Sequence, residues 1–133
     1  MPEFALIRDH VVVIRQARRS GMKAWLAKPT FAVGKATWKH SALWYAGAIA
    51  HDAYHAKLYG AAQRGQSDAR PGADSWTGAA AERQCLEFQM RVLRQLGADD
   101  DTLRYLECCQ ENPTYQGRNR GWASWLDYLK RWW

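Results

Sequence analysis

Cysteine is scarce in this chain, and its distribution excludes a scaffold stapled by disulfides. The 133 residues include only three cysteines, Cys85, Cys108 and Cys109. Small disulfide-rich domains carry an even set of cysteines at framework spacings, whereas this count is odd and two of the three are adjacent. We therefore expect reduced thiols and a fold that depends on a hydrophobic core.

Long hydrophobic runs are also missing, which excludes a membrane-spanning helix. No apolar stretch approaches the roughly 18–20 residues that cross a bilayer, and the first residues, MPEFALIRDH, lack the charged-then-apolar order of a signal peptide. The sequence contains no internal repeat, phosphate-binding loop or nucleophile elbow, so nothing indicates a solenoid, a P-loop enzyme or an α/β-hydrolase. We expect a soluble, cytoplasmic chain.

Apolar surface and positive charge, in contrast, are abundant. Hydrophobic residues make up 47% of the chain and eight are Trp, which suits a single domain over residues 1–133 with one core. The net charge of +6 would favour encounters with nucleic acid, an anionic membrane or acidic peptides. Charge alone does not identify a partner, and no motif supports nucleic acid.

The clearest chemical signal is a pair of histidines in the segment 41–60. His51 and His55 lie four positions apart, which on a helix places both imidazoles on one face, and Asp52 follows the first. In the H-E-x-x-H zinc helix, two such imidazoles hold Zn²⁺ and the adjacent acid acts on water. The run H-D-x-x-H therefore predicts a Zn²⁺ site with Asp52 as candidate general base. The alternative is a His pair on a surface helix with a solvated Asp52.

A third protein ligand is expected from the segment 79–97, whose apolar residues recur at helical spacing. Glu82, near the start of this predicted helix, shares a flank with apolar residues, where a carboxylate needs a partner or a metal. The sequence thus favours His51, His55 and Glu82 as the metal ligands.

Two other residues of the same predicted helix have side chains that can bind a metal. Glu87 has Arg83 and Arg91 four positions away on either side, and these predict ordinary surface ion pairs. Cys85 is a possible ligand, but a small buried residue on an apolar helix face is the interpretation we adopt.

His51-Asp52-x-x-His55, followed by Glu82 on a second helix, resembles the zincin-type metallopeptidase superfamily in its gluzincin-like arrangement. The resemblance covers roughly residues 10–97, and Asp52 stands where the family has Glu. It implies a small α+β fold with a mixed or antiparallel sheet ahead of the metal helix. It also implies a zinc-dependent metallopeptidase-like hydrolase, in which activated water attacks a peptide or amide carbonyl of a peptide or protein substrate. The competing function is a catalytically degenerate zincin scaffold that binds protein or nucleic acid.

The same resemblance suggests two further features of a peptidase site. Tyr115, in a Gly- and Asn-rich loop, would supply a hydrogen bond to the oxyanion. The segment 30–38 would offer its edge to an extended peptide, although a plain core hairpin is the alternative for that segment.

Local patterns predict a short sheet ahead of the metal helix. The β-branched run 11–14 is typical of a buried strand. Residues 22–26 are predicted to form a short strand or a loop. Residues 30–38 have the composition of a strand, with a bulge or turn at Gly34. Ser41 is a suitable N-cap for the metal helix.

The remaining segments lie beyond the metal helix. Residues 63–77 are polar and rich in Gly, Pro, Ser and Asp, which predicts a loop at the rim of the site, where Trp76 could pack. A further helix is expected at 103–110. The segment 122–133 has helical periodicity with a Trp-dominated apolar face that either closes the core or contacts a membrane or a protein partner.

Overall fold

The computed structural model describes residues 1–65 and 70–111, which form a small three-stranded sheet and five α-helices. This arrangement confirms the predicted α+β class. Tyr115 and the predicted helix 122–133 lie outside the described residues. The elements are α1 (Pro2–His10), β1 (Val13–Gln16), β2 (Gly21–Lys23), β3 (Thr30–Val33), α2 (Lys35–His40), α3 (Ala42–Arg64), a 3₁₀ turn (Ala73–Ser75), α4 (Ala79–Gln95) and α5 (Asp100–Glu111).

The sheet has the order β1-β3-β2, with β1 parallel and β2 antiparallel to β3. All four residues of β3 are buried, as suits a central strand of β-branched and aromatic composition. Because both edges of β3 are paired, the prediction that segment 30–38 offers an edge to a peptide is wrong. The alternative, a core hairpin, is formed by β2 and β3.

The N-terminal segment departs from the sequence prediction in two respects. Residues 2–10 form a helix, with Pro2 in its first turn and His10 in its last, where both residue types are favourable. The strand that follows begins at Val13 rather than at Val11, because the Val11 N–H caps the helix by donating to Ile7 O. β1 lies at the edge of the sheet and its residues are mostly exposed, so the prediction of a buried strand is wrong.

Gly34 marks the turn that the sequence indicated, but the residues after it are helical. Its N–H donates to Ser20 Oγ at 2.8 Å, and Ser20 Oγ also lies 2.8 Å from Thr37 Oγ1 in the first turn of α2. A Cβ at position 34 would lie 3.3 Å from Ser20 Oγ, so only glycine leaves this contact undisturbed. The strand prediction for residues 35–38 is therefore wrong.

Helix α3 is the central element and packs against α1, α2, α4 and the sheet. It begins as predicted, with Ser41 accepting a hydrogen bond from the Trp44 N–H at 3.0 Å. Small residues on its buried face let α4 approach closely: a Cβ at Gly47 would lie 3.2 Å from Leu93 and Gln89. The core on both sides is tightly filled, since Phe31, Leu86, Leu93 and Leu106 are fully buried.

Two compositional expectations are met by the described residues. Cys85, Cys108 and Cys109 are free thiols. Among the described helices, none combines the length and the apolar character that a bilayer crossing requires.

Candidate metal centre

Helices α3 and α4 bring together the three side chains that the sequence favoured as metal ligands. Nε2 of His51 and Nε2 of His55 are 3.2 Å apart. Glu82 reaches both from α4, with Oε2 at 3.2 Å from His51 Nε2 and Oε1 at 3.1 Å from His55 Nε2. The two imidazoles and the carboxylate thus form a triangle of side chains, in which each Nε2 contacts a different oxygen of Glu82.

Hydrogen bonds on the far side of each imidazole fix its orientation. His55 Nδ1 lies 2.7 Å from the backbone carbonyl oxygen of Trp76, and His51 Nδ1 lies 3.0 Å from Oε1 of Gln89. A carbonyl oxygen only accepts, so each Nδ1 donates its proton, and a neutral imidazole then has its free electron pair on Nε2. Metal-binding histidines are held in this way by partners behind them.

Two buried carboxylate oxygens close to the triangle lack hydrogen-bond partners. While both Nε2 atoms carry electron pairs, Oε2 of Glu82, 3.2 Å from His51 Nε2, has no donor, and neither has Oδ2 of Asp52, a residue that is only 5% exposed. Buried acceptors without donors are costly, and here they accompany two Nε2 atoms that also present electron pairs. A cation within the triangle would satisfy this group of acceptors.

The electrostatics of the site follow from burial opposed by close pairing. Burial alone would raise the pKa of Glu82. When the imidazoles of His51 and His55 are protonated at Nε2, their hydrogen bonds and positive charge hold this pKa well below its usual value, and a metal ion would take the place of these protons. Burial would lower the pKa of His55, but Cys85 and Glu82 together raise it well above the usual value. For Asp52 the effect of burial is the largest, and it raises the pKa to about 6 although the two histidines act to lower it. The site thus favours positive charge beside Glu82.

Cys85 lies next to the triangle, one helical turn after Glu82. It is fully buried, and its sulfur and the ligand atoms of His51 and His55 all lie within 4.8 Å of one another. Burial raises the pKa of its thiol. The interpretation of Cys85 as a buried residue on an apolar face agrees with this position, but its side chain also borders the candidate metal site.

The alternatives that the sequence left open can be compared with the observed positions. The alternative of a surface His pair does not apply, because His51, His55 and Asp52 are all buried. Glu87 is exposed on α4, away from the triangle. The ring of Trp76 packs against Tyr59, at 5.2 Å between centroids, so this residue does lie beside the site.

Sequence reasoning did not identify the residues behind the imidazoles. Gln89 is fully buried although its neighbours on α4 are apolar, and a buried amide on an apolar helix face was the available signal. The Trp76 contact is made by a backbone carbonyl, for which residue type gives no signal.

Comparison of the chain with protein-family models, with curated proteins and with solved structures finds no match. The resemblance to zincins accordingly stays a prediction from the motif, and function must be inferred from the geometry of the site.

Proposed function

We propose that this protein is a zinc-dependent hydrolase of peptide or amide bonds, with His51, His55 and Glu82 as zinc ligands and Asp52 as general base. The observation that carries the proposal is the triangle of two Nε2 atoms and the Glu82 carboxylate, with separations of 3.1 and 3.2 Å. In a tetrahedral zinc site with bonds of about 2.0–2.1 Å, neighbouring ligand atoms lie about 3.3 Å apart. The two Nε2 atoms therefore need little movement to bind the ion, and each of them already lies beside one carboxylate oxygen of Glu82.

The donor set also matches zinc. Imidazole nitrogen and carboxylate oxygen suit a borderline metal, and two His with one Glu is a set found in zinc hydrolases that keep a fourth position open. The hydrogen bonds to Gln89 and to the Trp76 carbonyl support the proposal, because they occupy Nδ1 of each imidazole and leave Nε2 to bind a metal once it has lost its proton.

Bound zinc would polarise the scissile carbonyl and lower the pKa of water. Asp52 then takes a proton from the water molecule while the water oxygen forms a bond to the carbonyl carbon. The same side chain returns that proton to the amide nitrogen as the C–N bond breaks. Without metal, burial raises the pKa of Asp52 to about 6, and the positive charge of bound zinc would lower it, so Asp52 is ionised and able to accept a proton at neutral pH.

A second candidate function is favoured by the position of Cys85. If its thiolate bound the metal together with His51, His55 and Glu82, four protein ligands would close the site, which is typical of structural zinc. The ion would then tie α3 to α4 in a scaffold without hydrolytic activity.

The proposed function is tested by metal analysis and a hydrolysis screen on the purified protein. About one equivalent of zinc is expected, together with cleavage of some members of a diverse peptide library. A chelator should abolish cleavage, and added zinc should restore it. Cleavage that persists in the zinc-free protein would contradict the proposal.

The third ligand is tested by a matched pair of substitutions on α4. Glu82→Gln should weaken zinc binding sharply, at least about tenfold, because the amide carries no negative charge to offset the ion. Glu87→Gln should leave zinc binding nearly unchanged, since Glu87 is exposed. Titration of zinc against a competing chelator measures both affinities. The reverse order would show that Glu87 and not Glu82 is the ligand.

A further inference from the structure

The excess of positive over negative charge in this protein comes from one stretch of the chain. Residues 10–51 contain seven Lys and Arg and no Asp or Glu, whereas the rest of the chain has twelve basic and thirteen acidic residues. The net charge of +6 therefore arises entirely from the segment that forms the sheet, α2 and the start of α3. All seven basic side chains in it are exposed: Arg15, Arg18, Arg19, Lys23, Lys28, Lys35 and Lys39.

The fold gathers four of these cations at one end of the sheet. The turn that carries Arg18 and Arg19 is held against the start of α2, because Ser20 bonds both Gly34 and Thr37 at 2.8 Å. Lys35 follows Gly34 directly, and Lys39 lies one helical turn later on the same side of α2. We call Arg18, Arg19, Lys35 and Lys39 the basic end.

In the part of the chain that the structure describes, no acidic side chain forms an ion pair with the basic end. Within residues 1–65 and 70–111, the ion pairs that form involve Arg8, Arg94, Arg104 and the two metal-site histidines, and none involves the basic end. Uncompensated cations repel one another, which is unfavourable in free energy. Binding to a polyanion removes this repulsion and releases the counterions of the polyanion.

An exposed tryptophan lies within the basic end. Trp38, on α2 between Lys35 and Lys39, is 39% exposed, and the Lys39 ammonium lies 5.6 Å from the centre of its ring. Bases of single-stranded nucleic acid stack on such rings while neighbouring cations contact the phosphates. Trp38 is the one large apolar side chain that α2 exposes. A helix that inserts into a bilayer presents a larger apolar face than this.

We propose that the basic end together with Trp38 binds single-stranded nucleic acid. Arg18, Arg19 and Lys35 contact phosphates, and the Trp38 ring stacks on a base. Contacts of this kind carry little sequence preference, because every base has a face that can stack. The proposal concerns a surface that does not include His51, His55 or Glu82, and it holds whether or not the protein is a hydrolase.

The test is fluorescence anisotropy with a labelled mixed-sequence single strand of about 16 nucleotides, a length within the usual range for such surfaces. The triple variant Arg18→Gln, Arg19→Gln, Lys35→Gln should bind at least about tenfold more weakly. Its plot of log affinity against log salt should be shallower by about 2, since each phosphate contact on a single strand contributes about 0.7. Trp38→Ala should also weaken binding about tenfold through lost stacking.

A matched triple variant, Arg8→Gln, Arg83→Gln, Arg104→Gln, removes the same charge from exposed positions outside residues 10–51 and should bind within about twofold of the natural protein. An equal loss in this control would overturn the proposal, because net charge alone would then explain binding. The proposal would also be overturned if the protein bound a duplex as tightly as the single strand and if Trp38→Ala bound the single strand normally. If the protein binds vesicles that contain phosphatidylserine but does not bind the oligonucleotide, the partner of the basic end is a membrane surface and not nucleic acid.

Discussion

Replacing either metal-site histidine with alanine is expected to remove most of the zinc from the protein. Nε2 of His51 and Nε2 of His55 each occupy one corner of a triangle with Glu82, so either substitution leaves only two of three ligands. A two-ligand site binds zinc far more weakly, and the ion should be lost during purification. Elemental analysis of the natural protein and of His51→Ala and His55→Ala measures this directly.

His10→Ala is a suitable control for these variants. His10 lies in the last turn of α1, outside the triangle, and its removal should leave about one equivalent of zinc in place. Since buried His51 and His55 also contribute to packing, circular dichroism is needed to confirm that their variants fold. Zinc should raise the melting temperature of the natural protein and of His10→Ala, because a ligand that binds only the folded state stabilises it. A natural protein without bound metal, whose melting temperature zinc does not change, would contradict the central proposal.

The parts of the site that could be predicted are those set by local geometry. His51 and His55 lie four positions apart, and any helix places such a pair on one face. Ser41 begins that helix because its side chain caps the Trp44 N–H three residues later, an interaction that depends only on neighbouring residues. Glu82 was predictable because a carboxylate on an apolar flank needs a partner.

The parts that could not be predicted depend on contacts between distant residues. Gln89 reaches His51 across 38 positions, where α4 packs so closely against α3 that a Cβ at Gly47 would lie 3.2 Å from the Gln89 side chain. The place of Thr30–Val33 in the sheet was also unpredictable. Its composition is that of a strand, but its central position depends on pairing with both β1 and β2.

The boundaries near the N-terminus were wrong for a related reason. The run of β-branched residues at 11–14 does favour a strand, but the first two of its residues lie between α1 and β1 and hydrogen-bond to neighbouring segments. At the edge of the sheet, Ile14 is 49% exposed, so apolar character did not indicate burial.

Asp52→Asn is expected to keep the zinc and to abolish turnover. Asn has nearly the shape of Asp, and Asp52 is not among the three proposed ligands, so zinc content should not change. The amide cannot accept the proton of the attacking water, and loss of a general base lowers turnover about 10²- to 10⁴-fold. In the natural protein, turnover should fall at acid pH as Asp52 becomes protonated and is no longer a base. Without metal the pKa of Asp52 is raised to about 6 by burial, and the positive charge of zinc lowers it, so the fall should begin below pH 6. The residual turnover of Asp52→Asn should lack this dependence.

Asp52→Glu distinguishes a working site from a degenerate one. The longer side chain restores the acid of the H-E-x-x-H helix, so higher activity would mean that the natural Asp attenuates hydrolysis. Lower activity would mean that the backbone of α3 has adjusted to the shorter acid, since Asp52 is buried and a further methylene must be accommodated. Either change supports catalysis. If neither protein cleaves any member of the peptide library while zinc stays bound, the hydrolase proposal fails. The closed site with Cys85 as fourth ligand then becomes the better account, and Cys85→Ser should weaken zinc binding.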